Sequence, residues 1–72
     1  MLQVGSKFKQ AYHGCKDPIT FTVLEIDKDR DYLKVECTGT DGYSHIEEWQ
    51  GHMDGLEFTE QCIEMGEYAL IN

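Results

Sequence analysis

Two stretches of alternating apolar and polar residues, separated by five charged ones, constrain this chain more than any other feature. Ile19-Thr20-Phe21-Thr22-Val23 has the period of two that marks a half-buried strand. In a second stretch Leu33, Val35 and Cys37 face one way and Tyr32, Lys34 and Glu36 the other. Asp27-Lys28-Asp29-Arg30-Asp31 lies between them as a polar turn, so the pair reads as a β-hairpin. The alternation slips at Val23-Leu24, putting Leu24 and Ile26 on the opposite parity. A β-bulge, or burial of both faces, accounts for that slip.

The flanking segments extend the hairpin. Thr38-Gly39-Thr40-Asp41-Gly42 supplies another turn with a strong Asp-Gly signal, and Tyr43 to Ile46 returns as a third meander strand. Val4 to Tyr12 supplies a first strand, with Gly14 and Asp17-Pro18 marking the loop that follows it. The period changes after Ile46. Ile46, Trp49, Met53 and Leu56 recur at spacings of three and four, which predicts a helix with Glu47 and Glu48 in its first turn. Gly51 weakens that helix and Gly55 ends it. A second short helix is predicted over about Thr59 to Met65, closing on Gly66, and Glu67 to Ile71 reads as a terminal strand.

The resulting fold class is α+β and β-rich. It is a small five-stranded SH3-like barrel, or a meander sheet, with one or two short helices before the last strand. The chain resembles SH3-like barrels in element order only, and the resemblance carries no residue roles. A three-stranded sheet with one face covered by the C-terminal helices is the competing arrangement. At 72 residues the chain forms a single compact domain, 1–72, and its 40% apolar content supplies a core.

Charge is distributed unevenly. Residues 1–34 carry all six cations and five acids, a net +1, whereas residues 35–72 carry nine acids and no Lys or Arg. The total of −8 disfavours direct nucleic-acid binding, which requires a surplus of cations on some face. A solvated acidic surface is the ordinary reading. If the second helix extends over residues 57–65, Glu57, Glu60 and Glu64 recur at i, i+3 and i+7 and share one stripe. With Glu48 and Tyr32, whose ring falls beside a hairpin turn, they are the candidate protein-binding residues. Trp49 reads chiefly as a core anchor and secondarily as an interface residue.

No signal peptide and no apolar run long enough to span a membrane is visible, and three widely spaced cysteines lack a CxxC pair. Reduced thiols in a cytoplasmic protein are the expectation, with a Cys15–Cys37 or Cys37–Cys62 disulfide as the lesser alternative. Asp27-x-Asp29-x-Asp31 is not an EF-hand loop, because the sixth position is Tyr32 and the twelfth is Thr38. His13, Cys15, Cys37 and His45 form a conceivable zinc set, but only one close pair exists among them. Core thiols and surface imidazoles are the simpler reading, so no metal or other cofactor is expected. Phosphate-binding glycine loops and an activated nucleophile are likewise missing, and the chain is read as a non-enzyme.

These observations imply a non-catalytic interaction module that binds another protein, with a basic surface as the complement expected for its acidic one. The alternative is an acidic nucleic-acid mimic that inhibits a DNA- or RNA-binding protein by occupying its phosphate-binding groove. A third reading has His13 and Cys15 holding a metal or small ligand.

Overall fold

In the computed structural model, which describes residues 2–71, the hairpin forms the middle of a five-stranded antiparallel sheet. β1 (Lys7–Gln10), β2 (Thr20–Asp27), β3 (Tyr32–Thr38), β4 (Ser44–Gln50) and β5 (Tyr68–Ile71) lie in the order β4-β3-β2-β1-β5. A single helix, α1 (Leu56–Glu64), precedes β5. β4 and β5 are opposite edges, so the sheet stays open and does not close into a barrel; β1 to β4 form a meander, and β5 crosses back to pair with β1. No helix of the described residues is long and apolar enough to cross a membrane.

Side-chain parity explains the core. Phe21 faces Cys37, Val23 faces Val35 and Ile26 faces Leu33 across β2 and β3. Between Val23 and Glu25 the register shifts, the bulge that the sequence announced at Leu24. The extra residue returns Ile26 to the inner face, where it packs against the buried cluster of Phe8, Phe21, Val23, Leu33, Val35 and Cys37. Phe8 and Phe21 stack with centroids 5.0 Å apart, Trp49 meets Phe21 edge-on at 5.2 Å, and Tyr68 approaches Phe8 at 5.2 Å. Each such large side chain, when fully buried, stabilises by about 1.5–3 kcal/mol. Helix α1 adds Leu56, Thr59 and Ile63 to this face, and Leu2 completes it.

The segment after the Asp-Gly turn departs from the sequence-based expectation. Residues Ser44–Gln50 are strand rather than helix, so of the one or two helices expected, one is present among the described residues. Gly42, at φ +88, reverses the chain, and the Gly39 N–H donates to the Tyr43 carbonyl at 2.9 Å. That closure lays the next seven residues along β3, with Lys34 opposite Glu48 and Leu33 opposite Trp49. The backbone groups of β3 need these partners, and a helix would leave them unmet. Trp49 does pack against the core, but from a strand.

Asp31 explains the second departure. Gly55 does not end a helix; it occupies the N-cap position of α1. Asp31, at φ +50 in the β2–β3 turn, accepts the Glu57 N–H on Oδ1 at 2.9 Å and the Gly51 N–H on its carbonyl at 3.0 Å. The carboxylate thus does the work of a missing capping side chain at residue 55. A Cβ on Gly55 would lie 2.2 Å from the Asp31 carbonyl oxygen, so only glycine fits there. At the other end Gly66, at φ +85, donates to the Ile63 carbonyl at 3.2 Å while Glu67 N–H reaches Cys62 at 2.9 Å, a Schellman closure.

Replacing Gly55 by Ala is expected to destabilise the fold by about 1–3 kcal/mol through overpacking. Asp31→Ala should cost about 1 kcal/mol by removing the cap, while Asp31→Asn, which keeps an acceptor and tolerates positive φ, should lose less. Urea unfolding reads both. A Gly55→Ala midpoint equal to wild type would contradict the close contact.

Candidate functional site

Strand β4 is paired on one side only. Its hydrogen bonds to β3 are bracketed by Gly39 N–H to the Tyr43 carbonyl and Gly51 N–H to the Asp31 carbonyl. Antiparallel alternation between those ends turns the backbone of His45, Glu47 and Trp49 toward β3. The N–H and C=O groups of Ser44, Ile46, Glu48 and Gln50 therefore point outward, without a backbone partner among the described residues. Ile46 lies in the middle of this edge with 59% of its surface exposed, and the neighbouring Tyr43 is 70% exposed.

The outer face of this edge is organised around Tyr32. Its hydroxyl donates to Glu48 Oε1 at 2.8 Å, and the Arg30 guanidinium lies 4.6 Å above its ring. The bond to Glu48, followed by burial, pushes the Tyr32 phenol up to about 12. Tyr32 is thus a buried support for Glu48, not a partly exposed ring beside a turn.

On the inner face His45, Glu47 and Trp49 form a row, and His45 sits directly opposite Cys37. His45 Nε2 lies 2.7 Å from Glu47 Oε2, and Trp49 Nε1–H donates to Glu47 Oε1 at 2.8 Å. The Trp49 and His45 bonds hold the Glu47 carboxyl below the usual glutamate range. Burial, with a smaller contribution from Glu47, pushes the Cys37 thiol up to about 11. The donor atoms of Cys37, His45 and Glu47 all lie within 4.8 Å of one another.

The five candidate binding residues fall into two groups on opposite sides of the sheet. Glu57, Glu60 and Glu64 follow one side of α1, which packs on the inner face, whereas Glu48 and Tyr32 belong to the outer face. Glu57 and Glu64 are exposed, but Glu60 is half-buried and its Oε2 accepts the Leu2 N–H at 3.0 Å. The neighbouring acids Glu47 and Glu48 also separate, because consecutive strand residues leave the sheet on opposite faces.

Other sequence candidates have structural duties. Asp27 Oδ1 accepts the N–H groups of Asp29 at 3.1 Å and Arg30 at 3.4 Å, which makes the acidic run a turn. Cys15 Sγ lies 3.8 Å from Gln10 Oε1, and Cys15, Cys37 and Cys62 are all free thiols. Of the conceivable zinc set only Cys37 and His45 are brought together, with Glu47 as the third donor in place of His13 and Cys15. Sequence reasoning missed that convergence by reading residues 46–56 as helix. The available signal was the i, i+2 spacing of His45 and Glu47 after an Asp-Gly hairpin turn.

The raised phenol has a consequence for stability against pH. The unfolded chain releases the Tyr32 proton near pH 10 and the folded one near 12, so stability falls as pH rises through that window. Tyr32→Phe should make the fall shallower when thermal midpoints are followed between about pH 9 and 12. Equal slopes in the two proteins would remove the Tyr32–Glu48 bond as the cause.

Comparison with protein-family models, with curated proteins and with solved structures finds no match to this chain.

Proposed function

We propose that this protein is a non-catalytic interaction module that binds a basic, extended segment of another protein along the free edge of β4. The outward backbone groups of Ser44, Ile46, Glu48 and Gln50 carry this reading. Free edges are commonly blunted by short length, proline, charged side chains (lysine above all) or a covering element. β4 is seven residues long, contains neither Pro nor Lys, and carries the exposed Ile46 at its centre. An added strand would satisfy the outward groups and set alternate side chains against the outer face.

Charge supports the choice of partner. Asp41, Glu47, Glu48 and Asp54 lie on or beside this edge, all exposed, and residues 35–72 contain no Lys or Arg. Two such edges would bring their carboxylates together, so self-pairing is disfavoured while a basic strand is attracted. Main-chain hydrogen bonds contribute about 0.5–1.5 kcal/mol net each, so the charges supply rate and selectivity that they lack. The free thiols fit a reducing compartment such as the cytoplasm. The mimic reading draws less support, because Glu47 and Glu48 diverge and Glu60 is committed to the Leu2 amide.

The test is retention of binding proteins on the immobilised chain at low and high salt, with Ile46→Pro and Glu48→Gln in parallel. Proline at position 46 deletes an outward N–H and leaves the hydrogen bonds to β3 in place. The expected result is a salt-sensitive partner lost from Ile46→Pro and weakened by Glu48→Gln, with circular dichroism unchanged. A partner held equally by Ile46→Pro, or released only by Glu57→Gln and Glu64→Gln, sinks the edge and moves the contact to α1.

A further inference from the structure

We propose that Cys37, His45 and Glu47 form a binding site for a divalent transition-metal ion of the zinc type. The site does not rest on the β4 edge as a docking surface, because its side chains leave the inner face while the docking groups point outward in the plane of the sheet. His45 and Glu47 are two apart on one strand, so they share a face, and the register sets Cys37 directly across from His45. Their donor atoms already lie within 4.8 Å of one another. Tetrahedral zinc with bonds of about 2.0–2.3 Å holds its ligand atoms roughly 3.3–3.8 Å apart, so His45 Nε2 and Glu47 Oε2, 2.7 Å apart, must part by about 0.6 Å while the wider pairs close by up to about 1 Å. Side-chain torsions can supply that much.

The surroundings resemble those of an oriented ligand set. Trp49 Nε1–H holds Glu47 Oε1 at 2.8 Å, which fixes the carboxylate and turns Oε2 toward His45 Nε2. A hydrogen bond to the non-ligating oxygen is the outer-shell arrangement that orients a metal-binding carboxylate. The His45 and Glu47 side chains are each 46% exposed and Cys37 is 2% exposed, so an ion would lie at the margin of the core, open to solvent.

Donor chemistry selects the metal class. A thiolate with an imidazole and a carboxylate suits zinc or cobalt(II), whereas magnesium and calcium favour oxygen ligands alone. The thiol must lose its proton to solvent on coordination. Three protein ligands leave a fourth position for water or for a donor from a bound partner.

Cobalt(II) titration of the reduced, untagged full chain tests this. One equivalent should produce a thiolate-to-cobalt charge-transfer band in the near ultraviolet, and one equivalent of zinc should abolish it. His45→Ala, at an exposed position, and Cys37→Ser should lose the band, and Trp49→Phe should weaken binding about 10-fold or more. Glu57→Gln should change nothing. Circular dichroism identifies any variant that fails to fold, and the exposed His45→Ala then decides alone. Absence of the band, its persistence in His45→Ala, or cobalt taken up without it by surface carboxylates would each overturn the site.

Discussion

Asp31 is where the structure is tied together. Its positive φ turns β2 into β3, its carbonyl receives the chain leaving β4, and its carboxylate starts α1. Three elements distant in sequence thus meet on one residue, and Gly55 lacks a side chain so that they can. In a domain of 72 residues the core alone supplies limited stability, and such polar junctions weigh correspondingly more. The junction also explains why α1 begins at Leu56: the cap comes from the β2–β3 turn and not from the preceding loop.

Everything functional in this reading concerns β4, a strand that presents three different chemistries. Its outer edge offers Ile46 and backbone groups without a backbone partner among the described residues. Its outer face carries Glu48, held by the Tyr32 hydroxyl. Its inner face carries His45 and Glu47, held by Trp49 and adjoining Cys37. Trp49 links the last of these to stability, since the same indole that packs on Phe21 also orients Glu47. An edge strand anchored at one end by a core aromatic can remain ordered while keeping its free side open.

Much of the fold was legible residue by residue. The alternation at Ile19–Val23 and Leu33–Cys37, the acidic turn between them and the slip at Leu24 correspond to β2, β3, their connection and the bulge. Gly66 was legible as the end of a helix, because a residue at φ +85 after a helical stretch favours glycine. Residues 46–56 were misread because Ile46, Trp49, Met53 and Leu56 match a helical period by coincidence, and Glu47 and Glu48 are good helix formers. The same reading hid the Cys37–His45–Glu47 grouping, which exists only when β4 lies in register beside β3. The acidic stripe on α1 was legible in part: Glu57 and Glu64 are exposed, but nothing local to Glu60 announces the Leu2 amide 58 residues away.

The sequence by itself determined the central hairpin, the turn chemistry around Asp27 and Gly42, and the confinement of every cation to the first 34 residues. These depend on contacts between near neighbours or on composition, so they survive whatever the rest of the chain does. Tertiary structure decided that residues 44–50 are strand, that the sheet stays open, and that Gly55 begins a helix. Each of those turns on a partner far along the chain: the hydrogen-bonding edge of β3, the placement of β5 against β1, and the carbonyl of Asp31. A local period of two or of three to four does not distinguish them, because the deciding energy lies in backbone groups that only the folded chain brings together.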